Sequence, residues 1–247
     1  MTIKQAAAFL HVSETSLRRW TNSGQLRCFR VGGRNERRFL LADLLAFMPS
    51  AQAEQTTAED NTASGSADEE RHICLFFLNE DEQWQMMRTY LLAYLNSEEP
   101  VLYIQDSTAP ERLQALLRAE GLPVESLIER GLLRIVPPAE AYLLGGSFDV
   151  DRMLAFMESQ ILAALATGHR RVLLTGEMSW SLAKAPGSEQ LMNYEALLNP
   201  LVEKYPPVTI ICQYDLRRFD GPSVLDAFLT HPTIHLPDRR VPGFYGL

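Results

Sequence analysis

Residues 73–83 read ICLFFLNEDEQ, six apolar residues that stop at a turn of one asparagine and three acids. The apolar residues do not alternate with polar ones, so this is a strand covered on both faces, the pattern of a parallel sheet in an α/β fold. The turn after the strand matters as much. A nucleotide-binding fold of this kind needs GxxxxGK[ST] at that point, with glycines that let backbone N–H groups wrap phosphates and a lysine for charge. Asn79-Glu80-Asp81-Glu82 contains neither glycine nor lysine. Asp81 and Glu82 would themselves occupy the favourable site at the start of the next helix dipole. A triphosphate there meets repulsion, so ATP hydrolysis is not expected.

The same strand pattern recurs downstream in VLYIQ (101–105), LLRIV (132–136), RVLLTG (171–176), VTIICQY (208–214) and TIHL (233–236). Helical stretches at 82–95, 110–120, 149–167 and 189–204 separate them. Apolar strands alternating with amphipathic helices predict a three-layer α/β domain with a mainly parallel sheet. Such sheets bind ligands beyond the carboxyl ends of their strands. The candidate ligand residues are therefore Glu80, Asp106, Glu177, Gln213, Tyr214 and Asp215, with Tyr142 and Trp180 as pocket wall or ordinary core. Glu177 carries most weight, because a carboxylate at a buried strand end needs a partner. Cys74 and Cys212 lie inside apolar strands, where cysteine behaves as a small hydrophobe. His72 opens a strand and suits either a structural or a functional role.

Before residue 71 the composition changes. Residues 51–70 hold six acids, no base and no apolar residue larger than alanine, which is the make-up of a flexible linker. Residues 1–50 carry eight bases against three acids, a net +5, while residues 71–247 carry 15 bases against 22 acids, a net −7. The whole-chain charge of −8 hides this division. The expected organisation is a basic head (1–50), an acidic linker (51–70) and an acidic body (71–247).

The head reads as helix, turn, helix, hairpin and short helix. Thr2 is placed to cap the first helix, with Ala6, Phe9 and Leu10 on one face, and Ser13 the second. The second helix carries Thr15, Ser16, Arg18 and Arg19, and the hairpin around GGRN carries Arg34, Arg37 and Arg38. Hydroxyls and guanidinium groups on a helix that fits a major groove, beside a basic hairpin, suit phosphates and base edges. These seven residues are the candidate DNA contacts, and Leu17, Trp20 and Phe39 the candidate core of the head.

Several classes are excluded. Cys28, Cys74 and Cys212 show no metal-ligand spacing, and an odd, scattered set suits a reducing compartment. No run of about 18 apolar residues and no signal-like N-terminus is present, so a cytoplasmic protein without membrane contact is expected. GxSxG, HExxH and a Ser-His-Asp set are not found, so no catalytic residues and no cofactor are assigned.

IKQAAAFLHVSETSLRRWTNSGQLRCFRVGGRNERRF resembles the winged helix-turn-helix of the MerR, excisionase and BldC-like superfamily. The matching points are Val12-Ser13, Leu17 to Trp20, Gly24-Gln25-Leu26 and Gly33 with Arg37-Arg38-Phe39. The resemblance implies binding to double-stranded DNA, usually as a dimer. The body resembles the MEDS sensory domain. That likeness is carried by His72 to Phe76, Leu102-Tyr103-Ile104, Tyr142, Gly146, Phe148-Asp149, Gly176-Glu177-Met178, Trp180, Tyr194-Glu195, Cys212 to Asp215 and His231-Pro232. It implies a RecA/KaiC-like fold with a degenerate phosphate loop that senses a small, hydrocarbon-derived or similar molecule. In that order the first body strand is expected between the fourth and fifth, which would gather Cys74, Glu177 and Gln213. Together the two likenesses imply a one-component transcription regulator, a homodimer that is not an enzyme. The alternatives are a body that is a metal- or nucleotide-dependent enzyme, in which Glu80, Asp106, Glu177 and Asp215 converge on a cation, or one that serves only dimerisation or protein interaction.

Overall fold

The computed structural model describes residues 1–9, 14–22, 26–31, 36–40, 43–44, 71–106 and 110–242. It divides into two compact units, Met1–Ala63 and Ser64–Leu247.

In the first unit, α1 (Ile3–Phe9) precedes α2 (Glu14–Asn22), followed by a hairpin of β1 (Phe29–Val31) and β2 (Glu36–Arg38). Thr2 caps α1 as expected. Its hydroxyl accepts from Gln5 N at 3.2 Å while its own N–H donates to Gln5 Oε1 at 2.9 Å, so two helix-end groups are satisfied reciprocally. The chain start joins the hairpin, since Met1 and Phe39 exchange two backbone bonds. Ala6, Leu17, Leu26, Phe39 and Leu44 form the buried interior, whereas Trp20 is only half-buried. Leu10, Ser13, Gly24 and the hairpin tip at 32–35 lie outside the described residues, and the Phe9 side chain is not described.

The second unit runs β3 (His72–Phe77), α3 (Glu80–Leu95), β4 (Val101–Ile104), α4 (Pro110–Ala119), α5 (Val124–Glu129), β5 (Leu133–Val136), α6 (Val150–Ala166), β6 (Val172–Glu177), α7 (Leu191–Lys204), β7 (Val208–Asp215), α8 (Gly221–Thr230), β8 (Thr233–Leu236) and β9 (Arg239–Pro242). The described strands of this unit form a sheet in the order β5-β4-β6-β7-β3-β8-β9. Every pairing is parallel except β8 with β9. The α/β class and the six expected strands are present.

The expected strand order is corrected. β3 lies between β7 and β8, not between β6 and β7, which pair directly. The grouping of Cys74 with Glu177 and Gln213 fails too, because side chains alternate across a strand. Cys74 is in register with Cys212 on one face. Gln213, one residue on, points to the other.

The two faces have different partners. Ile73, Leu75, Phe77, Tyr103, Leu173 and Ile211 pack against Met87, Leu91, Leu113, Leu117, Val124 and Leu127 of α3, α4 and α5. The opposite face, with His72, Cys74, Phe76, Cys212 and Tyr214, meets α7 and the end of α8. Both layers are needed because the central strands β3, β4 and β6 are buried along their whole length.

Candidate functional site

The turn after β3 is closed by its own side chains. Asn79 Oδ1 accepts from Glu82 N at 2.9 Å, and the Glu82 carboxylate accepts from Leu78 N at 2.8 Å and from Asn79 Nδ2 at 2.9 Å. Two backbone donors of this turn are thus already taken, Leu78 N by the Glu82 carboxylate and Glu82 N by the Asn79 amide oxygen. Glu80 forms an ion pair with Arg112 at the surface.

Behind this turn, at the carboxyl edge of the sheet, a polar network sits on the α3 face. Gln83 Nε2 donates to Gln213 Oε1 at 2.8 Å and to Glu177 Oε1 at 3.2 Å. The Tyr103 hydroxyl donates to Gln213 Oε1 at 3.0 Å, Gln213 Nε2 donates to Thr175 Oγ1 at 2.8 Å, and Asp106 N donates to Glu177 Oε2 at 3.0 Å. Burial first, then the Glu177 charge, push the Tyr103 phenol well above its usual range, so it stays a donor. A cleft beside the network is lined by Glu80, Gln83, Trp84, Met87, Tyr103, Gln105, Arg112, Leu113 and Leu116.

On the opposite face lies a second cluster. His72 of β3, Glu195 of α7, Cys212 of β7 and His231 after α8 bring one ligand-type atom each to within 4.8 Å of one another. Glu195 Oε2 is 3.5 Å from His72 Nε2, 3.4 Å from His231 Nε2 and 3.1 Å from Cys212 Sγ. All four side chains are buried, the two histidines and Glu195 at 0% exposure. The Tyr214 hydroxyl donates to Glu195 Oε1 at 2.6 Å. Burial pushes the Glu195 carboxyl up, but the two imidazoles outweigh it and hold the group below the usual carboxylate range. Burial, then the neighbouring His231, lower His72. Burial, then Glu195, raise the Cys212 thiol well above its usual range.

The residues expected from sequence to bind a ligand divide among five places. Glu177, Gln213 and Asp106 share the network, with the Ser179 hydroxyl donating to Asp106 Oδ2 at 2.6 Å. Tyr142 and Trp180 stack at 4.8 Å in an aromatic core with Phe148 and Tyr194. Tyr214 belongs to the opposite face and holds Glu195. Asp215 is taken by Arg217, whose guanidinium donates to both carboxylate oxygens at 2.9 and 2.7 Å. Glu80 is at the surface. Among the described residues, Glu80, Asp106, Glu177 and Asp215 form no convergent cation site.

Sequence reasoning passed over Gln83, Tyr103 and Thr175, and did not connect Glu195 and His231 with His72 and Cys212. Gln83 was readable: it stands four residues before Met87 and eight before Leu91, a polar residue in the buried stripe of α3. The His-Glu-Cys-His cluster had no such signal, because its members are dispersed between residues 72 and 231.

In the head, Arg18 and Arg19 are exposed on α2, and Arg37 and Arg38 are half-buried on β2. Thr15 and Ser16 lie on α2 with side chains that are not described, and Arg34 lies outside the described residues.

A helix-turn-helix joined to an α/β body with no phosphate loop is the make-up of a transcription regulator. The family follows from comparison with known proteins: residues 71–232 match the MEDS family, the methanogen/methylotroph DcmR sensory domain, and the chain belongs to it. Residues 1–50 match a helix-turn-helix domain. The transcriptional repressor DcmR of Methylorubrum extorquens (strain DSM 6343 / CIP 106787 / DM4) is 30% identical over 246 residues, covering 94% of this chain and 89% of that protein. A KaiC-like protein of Pyrococcus horikoshii OT3 is a structural neighbour with 15% identity and a TM-score of 0.48, over 66% of this chain and 70% of the other.

Proposed function

We propose that this protein is a one-component transcription regulator, in which residues 1–50 bind double-stranded DNA, residues 51–70 form a linker and residues 71–247 sense a small molecule. The observation that carries the reading is the union, in one chain, of a helix-turn-helix domain with a MEDS sensory domain. The net +5 of residues 1–50 supports the DNA role, as the electrostatic footprint of a phosphate-binding surface. The name of the relative DcmR favours repression over activation. The regulator acts as a homodimer in the cytoplasm and not as an enzyme. The blocked turn after β3 supports the last point, and among the described residues no helix is long and apolar enough to cross a membrane. A signal changes DNA affinity only if it binds one dimer arrangement better than another.

The test is fluorescence anisotropy with duplex DNA from the region upstream of the protein's own coding sequence, over a range of salt. Arg18→Ala and Arg19→Ala are each expected to weaken binding and to lower the salt slope by about 1. Unchanged affinity and slope in both variants would remove the head from the DNA interface.

A further inference from the structure

The cluster on the α7 face has the form of a metal centre. We propose that His72, Glu195, Cys212 and His231 bind one divalent ion of the zinc class, buried between the sheet and α7. The proposal stands apart from the DNA-binding reading, and its test reads metal, not DNA.

The distances suit such an ion. Zinc-class ions bind imidazole nitrogen and carboxylate oxygen at about 2.0–2.2 Å and thiolate sulfur at about 2.3 Å, so the edges of a tetrahedron of such ligands run roughly 3.3–3.8 Å. Four edges of this cluster measure 3.1, 3.4, 3.5 and 3.7 Å. Those edges join four ligand atoms around a small common centre.

The ring orientations suit it as well. Asn199 Nδ2 donates to the Thr230 carbonyl at 2.8 Å, which leaves its Oδ1 as the acceptor for His72 Nδ1 at 2.8 Å. His231 Nδ1 lies 2.7 Å from the Ala227 carbonyl, which can only accept. Both rings therefore carry their proton on Nδ1 and turn the Nε2 lone pair into the cluster. That outer bond to a carbonyl oxygen is how metal-binding histidines are held. His231 Nε2 is fully buried, aimed at the cluster and without a hydrogen-bond partner. Glu195 is fixed in the same way by Tyr214.

Charge balance points the same way. A buried carboxylate needs compensation. A divalent ion bound by one carboxylate, one thiolate and two neutral imidazoles supplies it, giving a centre of zero net charge. One oxygen among two nitrogens and a sulfur suits zinc-class ions and not calcium or magnesium, which take oxygen ligands.

The experiment uses the full-length, tag-free chain produced in minimal medium with added zinc or, separately, cobalt, and purified without chelator. Elemental analysis should show one ion per chain. The cobalt form should show the visible bands of tetrahedral cobalt and a thiolate-to-cobalt charge-transfer band. Cys212→Ser should abolish that band, whereas Cys28→Ser and Cys74→Ser should keep it. His231→Asn should lose the bound ion. Asn199→Ala, which touches no metal, should weaken binding by about 10–100-fold in competition with a chelator. Circular dichroism reports whether each variant is folded, and where one is not, the wild-type cobalt spectrum and the Cys28→Ser and Cys74→Ser spectra decide. Folded wild-type protein without stoichiometric metal would overturn the proposal. So would a cobalt spectrum unchanged in folded Cys212→Ser.

Discussion

The Tyr142 hydroxyl occupies the space that a side-chain carbon at Gly176 would fill. Gly176 is on β6, in register with Cys212 of β7, and the ring of Tyr142 stacks on Trp180. The glycine is therefore a matter of packing: the sheet surface must be bare where a buried aromatic approaches it. Gly176→Ala should displace Tyr142 and destabilise the body by about 1–3 kcal/mol, as overpacking does. Urea unfolding followed by tryptophan fluorescence measures this, and a midpoint equal to wild type would contradict the close approach.

The network at the sheet edge predicts an asymmetry between two substitutions at Glu177. Glu177→Leu leaves Gln83 Nε2 with one acceptor fewer and Asp106 N without its acceptor. Unfolding free energy should fall by roughly 1–3 kcal/mol. Glu177→Gln keeps one carbonyl oxygen in place and should cost less. Equal losses for the two would show that charge, not hydrogen bonding, is what the network needs.

The thiols should differ in reactivity. Burial first, then Glu195, raise both Cys74 and Cys212 well above the usual thiol range, and both are buried, whereas Cys28 is half-buried. The reactive species is the thiolate. A colorimetric disulfide reagent at mildly alkaline pH should label Cys28 first and the other two only when denaturant is added. Rapid labelling of more than one thiol in folded protein would refute this.

The division of the chain can be tested by removing residues 1–70. Among the described residues, the hydrophobic cluster on the α3 face of the sheet is built from residues between Ile73 and Ile211. A fragment of residues 71–247 should be soluble and unfold in one cooperative step, as seen by calorimetry; a fragment without a transition would show that the head contributes to the body's stability.

Much of the body was legible because its central strands are dominated by buried apolar residues. ICLFFL and VTIICQY are hard to place anywhere but a covered sheet. The order of the strands was not legible. Nothing in His72–Phe77 distinguishes a place beside Val172–Glu177 from one beside Thr233–Leu236, since hydrogen bonds between strands involve only backbone. The sheet-edge site was half legible. Glu177 and Gln213 announce themselves at strand ends, but their partner Gln83 is a helical residue whose role appears only when α3 is laid on the sheet. The cluster of His72, Glu195, Cys212 and His231 was least legible. Each residue alone has an ordinary structural explanation, and only the register that sets Cys74 against Cys212, with α7 packed above, brings them together.

The antiparallel strand Arg239–Pro242 bears on how two copies can meet. It forms one edge of the sheet, and in its four residues it carries two arginines and a proline. A proline offers no N–H to a further strand, and charged side chains resist being covered by one. Growth of the sheet from copy to copy is discouraged on that side, so a neighbour meeting this edge would do so through side chains and not by adding a strand.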